Sequence, residues 1–266
     1  MFDYLIVGAG FAGSVLAERL ATRLNKSVLL CDERTHIGGD AYDYKDEAGI
    51  LVHRYGPQVF HTDSARIFQY LSQFTPWRPY QHRELTPEGG EPVARYTDRH
   101  QVMPLFGFTR MIETMLDHPK IRLLTGIHQR DIEADYRHLI YTGPIDAYFG
   151  HRHGKLPKRA IERRFETHDC ERFQPVAVVT HPDGTRTTEF KHLTGQKHSR
   201  TTVMHEKAGP EPESAELHRK YEDLARATSN VRFIGGRTND EIDQVVGQAL
   251  SCFEQIAGPT AESRAA

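Results

Sequence analysis

The sequence predicts an α/β fold: a parallel sheet with helices on both faces, carrying an inserted antiparallel β-sheet. Three observations support this prediction. The first 34 residues read as strand, glycine turn, helix and strand. Residues 176–205 contain short runs with a turn between them, typical of antiparallel strands. Residues 231–256 return to a strand followed by a helix, so both termini are expected in one Rossmann-like domain.

The opening segment has the pattern of a strand–turn–helix–strand unit. The apolar run 3–7 predicts a buried strand, and apolar residues then recur at helical spacing as far as Leu24. A second apolar run, 27–31, predicts the next strand. It is followed directly by Asp32, Glu33 and Arg34. An acidic residue therefore ends the second strand, as in nucleotide-binding units of this kind.

The glycine turn between the first strand and the first helix predicts a nucleotide site. Gly8 permits the tight turn, Gly10 lets the backbone approach a pyrophosphate, and Gly13 lets the helix pack closely on the sheet. The N-terminus of the helix then offers N–H groups and a partial positive charge to the anion. Asp32 is placed to accept hydrogen bonds from ribose hydroxyls. The turn alone leaves FAD, NAD and a nucleotide sugar open as ligands.

The rest of the chain predicts a two-part organisation. A Rossmann-like nucleotide-binding domain is expected from residues 1–80 and 215–257, and a substrate region with an antiparallel sheet from 81–214. Within that region 108–149 is expected to pack partly on the first domain, and 258–266 is expected to be a flexible tail. The predicted elements are two short strands within 50–61, a helix at 63–74 capped by Asp63 or Ser64, a helix at 108–116, strands at 120–124 and 138–141, a hairpin of 176–180 with 186–192, a third strand at 201–205, a helix at 215–227, a strand at 231–234 and a helix at 240–256.

Composition excludes several classes of protein. The 34 Lys and Arg residues nearly balance the 36 Asp and Glu residues, which argues against a nucleic-acid partner. No apolar run approaches the roughly 18 to 20 residues that cross a bilayer, so no membrane partner is expected. The three cysteines have no metal-binding spacing, and the N-terminus does not read as a secretory signal. A cytoplasmic enzyme that acts on a small molecule is the expectation.

Several collinear segments resemble the UDP-galactopyranose mutase family, over about four-fifths of the chain. The glycine fingerprint continues into a second motif that ends with Gly38 and Gly39. The other segments that carry the resemblance are the histidine-bearing loop 52–63, the helix-forming run 104–116, the run Tyr-Thr-Gly-Pro-Ile-Asp-Ala-Tyr-Phe at 141–149, the run Thr-Arg-Thr-Thr-Glu-Phe-Lys-His at 185–192, and Gly-Gly-Arg at 235–237.

This resemblance implies an isomerase that interconverts the pyranose and furanose forms of a nucleotide-linked sugar, with FAD as cofactor. The matching positions imply Arg186 at the leaving diphosphate, His61 as the residue that orients the cofactor or shuttles a proton, and Glu241 as the acid near the C-terminus. The cofactor-binding residues that it implies, together with the fingerprint, are Gly8, Gly10, Gly13, Asp32, Glu33, Arg34, Gly38, Gly39, Gly235, Gly236 and Arg237.

The departures from the family pattern bear on the substrate. The helical domain that the family carries between about 81 and 96 is absent, and with it the segment that holds uracil and an arginine that clamps the diphosphate. A substrate other than UDP-galactose is therefore expected, such as a GDP- or dTDP-linked hexose or deoxyhexose. Loss of that domain would expose apolar surface, which predicts a homodimer as one way of covering it.

Three alternatives remain open at this point. Gln58 stands where the family has a histidine beside the flavin, which favours a flavin-free variant assisted by Mg²⁺ or Mn²⁺. Asp40, Asp43 and Asp63 are candidate ligands for such a metal, although their spacing is no metal motif. The first forty residues alone favour a flavin-dependent oxidoreductase. A non-catalytic nucleotide-binding remnant is the third alternative.

Overall fold

The structure is a computed structural model that describes residues 1–86, 88–235 and 241–258. The chain divides into two compact units. Unit 1 consists of Met1–Gly39, Ile112–Leu156 and Ser214–Ala266, and unit 2 consists of Asp40–Met111 and Pro157–Glu213.

The strands, in chain order, are β1 (Phe2–Val7), β2 (Val28–Asp32), β3 (Asp43–Lys45), β4 (Leu51–His53), β5 (Phe60–Thr62), β6 (Trp77–Pro79), β7 (Arg83–Leu85), β8 (Val93–Ala94), β9 (His100–Pro104), β10 (Ile121–Thr125), β11 (Tyr136–Tyr141), β12 (Ile161–His168), β13 (Val178–Thr180), β14 (Arg186–Glu189), β15 (Thr201–Ala208) and β16 (Val231–Phe233). The helices are α1 (Phe11–Leu24), α2 (Ala65–Leu71), α3 (Phe108–Leu116), α4 (Ile145–Tyr148), α5 (Phe190–Thr194), α6 (Ala215–Arg226) and α7 (Ile242–Ala257). No described helix has the length and apolar character needed to cross a membrane.

Unit 1 is built on a five-stranded parallel sheet. The strand order is β10-β2-β1-β11-β16, and every adjacent pair is parallel. Strand β2 is buried along its whole length, as expected for a parallel sheet covered on both faces. Helices α1 and α7 pack against each other beside this sheet. The predicted α/β fold with a Rossmann-like domain is therefore confirmed.

An aromatic cluster fixes the loop that follows β11. Tyr141 contacts the rings of Tyr148 and Phe233 edge-on, and Phe149 stacks on Phe233 at 5.6 Å. The buried carboxylate of Asp146 accepts a hydrogen bond from the Leu156 backbone N–H at 2.9 Å. The segment 141–149, which carries much of the family resemblance, thus has a packing role in unit 1.

Unit 2 contains the inserted sheet. Its six strands have the order β12-β15-β14-β13-β7-β8, and all pairs are antiparallel except β13 with β7. Two smaller sheets, β3-β4 and β5-β9-β6, belong to the same unit. These small sheets explain why the unit boundaries differ from the predicted domains. Residues 40–80 were expected in the nucleotide-binding domain, but their strands pair with each other and with β9 in unit 2.

The two strands predicted within 50–61 are present as β4 and β5, which pair with β3 and β9. Strand β12 was not predicted. The strand predicted at 186–192 ends at Glu189, where helix α5 begins. Helix α5 forms because Phe190 and Leu193 bury their side chains on one side, and Gly195 ends it in the left-handed conformation with φ +69°.

Candidate functional site

The glycine turn of unit 1 has the geometry that close packing of α1 on β1 requires. Gly8 has φ +103°, a conformation that favours glycine, and a side chain there would overlap Thr142 Oγ1. A Cβ on Gly13 would overlap the carbonyl oxygen of Gly8. The N-cap residue of α1 is Gly10, and no side chain caps this end of the helix. The helix N-terminus therefore presents backbone N–H groups and the positive end of the helix dipole to an anion.

A second pair of glycines lies against this turn. A Cβ on Gly39 would approach the Gly10 Cα to 3.1 Å, so the two loops meet at a distance that glycine makes feasible. Gly38 has φ +92° and donates its N–H to the Ala9 carbonyl at 2.8 Å. Gly235, with φ +69°, lies with its Cβ position 4.0 Å from the Ala12 Cβ. These contacts place the predicted glycines of 8–13, 38–39 and 235 around one end of helix α1.

The predicted ribose-binding acid is held by two backbone hydrogen bonds. Asp32 is 8% exposed, and its Oδ2 accepts from the Ala9 N–H at 2.7 Å. Its Oδ1 accepts from the Arg34 N–H at 2.9 Å. The carboxylate thus fixes the glycine turn to the end of β2. Each oxygen has a second lone pair, so the group can also accept from a sugar hydroxyl. Glu33 is exposed beside it.

Two predicted cofactor residues, Gly236 and Arg237, lie outside the described residues. Glu241 is described, and it is the N-cap residue of α7. Its side chain accepts from the Gln244 backbone N–H while the Gln244 side chain accepts from the Glu241 N–H, forming a capping box. The structure therefore gives Glu241 a helix-capping contact, and its catalytic role stays a prediction.

His61 lies in unit 2, buried on β5. It is 5% exposed, and the Tyr96 ring stacks on it with centroids 3.8 Å apart. Arg99 Nη1 lies 3.3 Å from His61 Nδ1. Because a guanidinium only donates hydrogen bonds, Nδ1 accepts and the neutral ring carries its proton on Nε2. Tyr96 is the last residue of the segment 81–96, where the sequence lacks the helical domain, and Arg99 lies three residues further on.

Arg186 lies in a row of charged side chains that crosses the six-stranded sheet. It is directly opposite Glu206 on β15, and Glu206 is in turn directly opposite Arg163 on β12. Arg163 Nε is 2.7 Å from Glu206 Oε2, and Arg186 Nη1 is 3.8 Å from Glu206 Oε1. On the other side, Arg186 Nη2 is 3.4 Å from Glu84 Oε1. The Arg186 side chain remains 39% exposed, so its guanidinium is both oriented and accessible.

Glu84 on β7, the acidic neighbour of Arg186, accepts hydrogen bonds from two further side chains. Its carboxylate accepts from His82 Nε2 at 3.1 Å and from Arg95 Nε at 2.9 Å. The hydrogen bond from His82 holds the pKa of Glu84 down to about 2 against the effect of burial, and Arg95 and Arg186 act in the same direction. Glu84 is therefore ionised at neutral pH. With three arginines against two glutamates it carries a net positive charge, which suits a diphosphate.

Sequence reasoning found Arg186 but missed its neighbours in the row. Glu84, Arg95, Arg163 and Glu206 meet through strand register, which sequence spacing does not show. The sequence gives no clear signal of this pairing, because charged residues are consecutive at 162–164 and at 206–207 instead of alternating as on a half-exposed strand.

The acids proposed as metal ligands do not form a cluster among the described residues. Asp43 is 3% exposed, and its carboxylate accepts from the backbone N–H groups of Phe108 and Thr109 at 2.7 and 2.8 Å. It therefore caps helix α3. Asp40 and Asp63 are exposed.

Comparisons with known proteins give the family. The model of the UDP-galactopyranose mutase family matches residues 91–239, more than half of the chain. The chain belongs to the UDP-galactopyranose mutase family. The resemblance found from its sequence motifs is thereby confirmed. A model of NAD(P)-binding Rossmann-like domains matches residues 6–74, which contain the glycine turn.

Individual relatives agree with this assignment. A protein of Klebsiella pneumoniae named "Probable UDP-galactopyranose mutase" is 25% identical, over 97% of this chain and 96% of the relative. A dTDP-fucopyranose mutase of Escherichia coli is 22% identical, over 96% of this chain and 98% of the relative. A solved structure of reduced UDP-galactopyranose mutase has a TM-score of 0.63 and 13% identity, covering 85% of this chain and 79% of that chain. At that identity the structural match shows the fold alone.

These relatives are named as nucleotide-sugar mutases, so the prediction of an isomerase is confirmed at the level of the family. The Klebsiella alignment runs over 369 positions against a chain of 266 residues. More than a hundred positions of that relative therefore face gaps in this chain, as expected for a member that lacks a domain.

Proposed function

We propose that this protein interconverts the pyranose and furanose forms of a nucleoside-diphosphate sugar other than UDP-galactose. Membership of the family and the names of the relatives support the reaction type. The relatives differ from one another in both base and sugar, so the family accommodates different substrates. Because the resemblance assigns uracil binding to the domain that is missing here, a GDP- or dTDP-linked hexose or deoxyhexose is the proposed substrate.

The placement of Arg186 is the observation that carries the proposal. Exchange of ring size at a nucleotide-linked sugar requires the diphosphate to leave the anomeric carbon, and negative charge accumulates on it in the transition state. Arg186 is held between Glu84 and Glu206, so its guanidinium is already oriented before substrate binds. A planar guanidinium binds phosphate oxygens through two parallel hydrogen bonds. The excess positive charge of the row then stabilises the departing group.

We propose FAD as the cofactor of the reaction. The glycines around the end of α1 fit its diphosphate, since a side chain on Gly10 or Gly39 would fill the space between the two loops. Asp32 is placed to accept from the adenosine ribose, and the α1 N-terminus to hold the diphosphate. Bound reduced flavin would supply the nucleophile that displaces the diphosphate.

His61 is proposed as the residue that holds a proton near the sugar ring. Arg99 fixes the neutral tautomer with the proton on Nε2, and the stacked Tyr96 ring restrains the imidazole plane. A histidine held in this tautomer can donate its Nε2 proton and recover it during ring opening and closure. The flavin-free, metal-assisted alternative has one candidate ligand fewer. The Asp43 carboxylate already accepts two backbone hydrogen bonds at the N-terminus of helix α3.

The experiment is to incubate the purified full chain with UDP-, GDP- and dTDP-linked hexoses and deoxyhexoses and to identify the products by proton NMR. Parallel samples contain dithionite, EDTA, both or neither, and the Arg186→Gln variant is the matched control. Furanose product that requires dithionite and survives EDTA supports the proposal with FAD. Product that forms without reductant and is abolished by EDTA would overturn the proposal that FAD is the cofactor. Oxygen consumption without furanose, or binding without any turnover, would overturn the proposed function.

A further inference from the structure

Three side chains of the types that coordinate metal ions lie close together on the six-stranded sheet of unit 2. Glu166 and His168 alternate along β12, so they project from the same face of the sheet. His205 lies on β15 opposite Arg164, which makes it the diagonal neighbour of Glu166 on that face. One ligand atom from each of the three residues lies within 4.8 Å of the other two.

Each histidine has a ring nitrogen without a hydrogen-bond partner among the described residues, and His205 Nε2 lies 3.8 Å from Glu166 Oε2. The Nε2 atoms of both His168 and His205 are buried and make no hydrogen bond among the described residues. A buried imidazole nitrogen without a partner is costly, and such groups in folded proteins call for an explanation. The Phe173 ring stacks on His168 with centroids 4.2 Å apart, which fixes the direction of its ring. A cation between these atoms would satisfy both nitrogens at once.

We propose that Glu166, His168 and His205 bind a Zn²⁺ ion. Two imidazoles and one carboxylate form a donor set that zinc accepts, with a fourth position left open for water or a ligand. His205 also lines a cavity of about 760 Å³ together with His181, Asp183 and Thr187. The open position thus has space for a small ligand beside it.

This site is separate from the proposed reaction centre. His205 and Glu206 are consecutive on β15, and Arg164 and Arg163 are consecutive on β12. Consecutive side chains on a strand project from opposite faces, so the metal cluster lies on one face and the Arg186 row on the other. The inference therefore goes beyond the mutase activity and does not supply a Lewis acid for the departing diphosphate.

The proposal predicts that Arg164 weakens the binding of Zn²⁺. Its Nη2 lies 2.9 Å from Glu166 Oε2, so a guanidinium competes with the metal for this carboxylate. The Arg164 side chain is exposed, and its removal leaves the strand pairing intact. We expect Arg164→Gln to bind Zn²⁺ roughly five- to tenfold more tightly, because a like charge next to the site is removed.

The test is metal titration of the full chain after removal of bound metal with EDTA and dialysis. Calorimetry with Zn²⁺ should give one site per chain, and Co²⁺ should give the visible absorption bands of a low-symmetry, four- or five-coordinate ion. His168→Gln and His205→Gln should each weaken binding at least tenfold, and the exposed Glu166→Gln should weaken it while leaving the fold intact. His138→Gln, at an exposed histidine of unit 1, is the control that should bind like the wild type.

Circular dichroism of each variant shows that it is folded. The proposal is overturned if no stoichiometric Zn²⁺ binding occurs at up to about 100 μM metal. It is equally overturned if folded Glu166→Gln, His168→Gln and His205→Gln all bind as tightly as His138→Gln. Because this readout involves no nucleotide sugar, its failure leaves the mutase proposal untouched, and the reverse also holds.

Discussion

The contact between Gly13 and Gly8 determines how closely helix α1 can approach the nucleotide-binding turn. In Gly13→Ala the new Cβ would lie far inside 3.0 Å of the Gly8 carbonyl oxygen, and that oxygen belongs to the backbone and cannot rotate away. Overpacking of this kind costs up to about 3 kcal/mol. Alanine in a helix gains about 1 kcal/mol over glycine. We therefore expect the free energy of unfolding to fall by about 2 kcal/mol.

Gly10→Ala is the matched control for this substitution. Its Cβ would meet the nearest atom, the Gly39 Cα, at 3.6 Å, and Gly10 has φ −80°, which alanine adopts without strain. Its free energy of unfolding should fall by no more than about 1 kcal/mol, because alanine is a poorer N-cap residue than glycine. Its affinity for FAD should fall because the backbone can no longer approach a pyrophosphate. Urea unfolding and equilibrium dialysis with FAD measure the two effects. Equal stability of Gly13→Ala and Gly10→Ala would refute the reasoning.

Three further substitutions test other parts of the account. Asp32→Asn should lower the free energy of unfolding by about 1 to 3 kcal/mol, because one side-chain amide cannot accept hydrogen bonds from Ala9 and Arg34 through two oxygens. Urea unfolding measures this effect, and the exposed Glu33→Gln is the control that should not show it. Equal effects of the two substitutions would contradict the role assigned to Asp32. The pKa of Glu84 is about 2 in the folded protein against 4.5 ordinarily, so its contribution is present above pH 4.5 and lost as the pH falls towards 2. The stability difference between wild type and Glu84→Gln should accordingly shrink from pH 7 to pH 3, and a constant difference would exclude ionisation as its cause. Arg186→Gln should lower kcat about 10²- to 10³-fold, measured by NMR, whereas the exposed Arg83→Gln should not.

The sequence alone predicted the strand–turn–helix–strand segment of unit 1 and the parallel strands beside it. The glycine turn, the acidic end of β2 and helix α1 are local signals, because each depends on residues within one short segment. The parallel strands β10, β11 and β16 each contain apolar or aromatic residues close together within a short segment, which again is a local pattern.

Unit 2 depends more on contacts between distant residues. Strand β12 was missed because its sequence is largely polar and most of its side chains are exposed. Without β12, the direct pairing of Arg163 with Glu206 could not be foreseen, nor the diagonal approach of His205 to Glu166. Asp43 was a candidate metal ligand, and no pattern in the chain shows that it caps a helix 65 residues away.

The most direct test of the central claim is to follow GDP- and dTDP-linked pyranoses by proton NMR with the full chain and reductant, and then to start again from the furanose formed. The account predicts that both directions converge on one pyranose-to-furanose ratio, and that Arg186→Gln slows both equally without changing that ratio. A protein that binds these nucleotide sugars yet leaves their anomeric signals unchanged, with and without reductant, would contradict it.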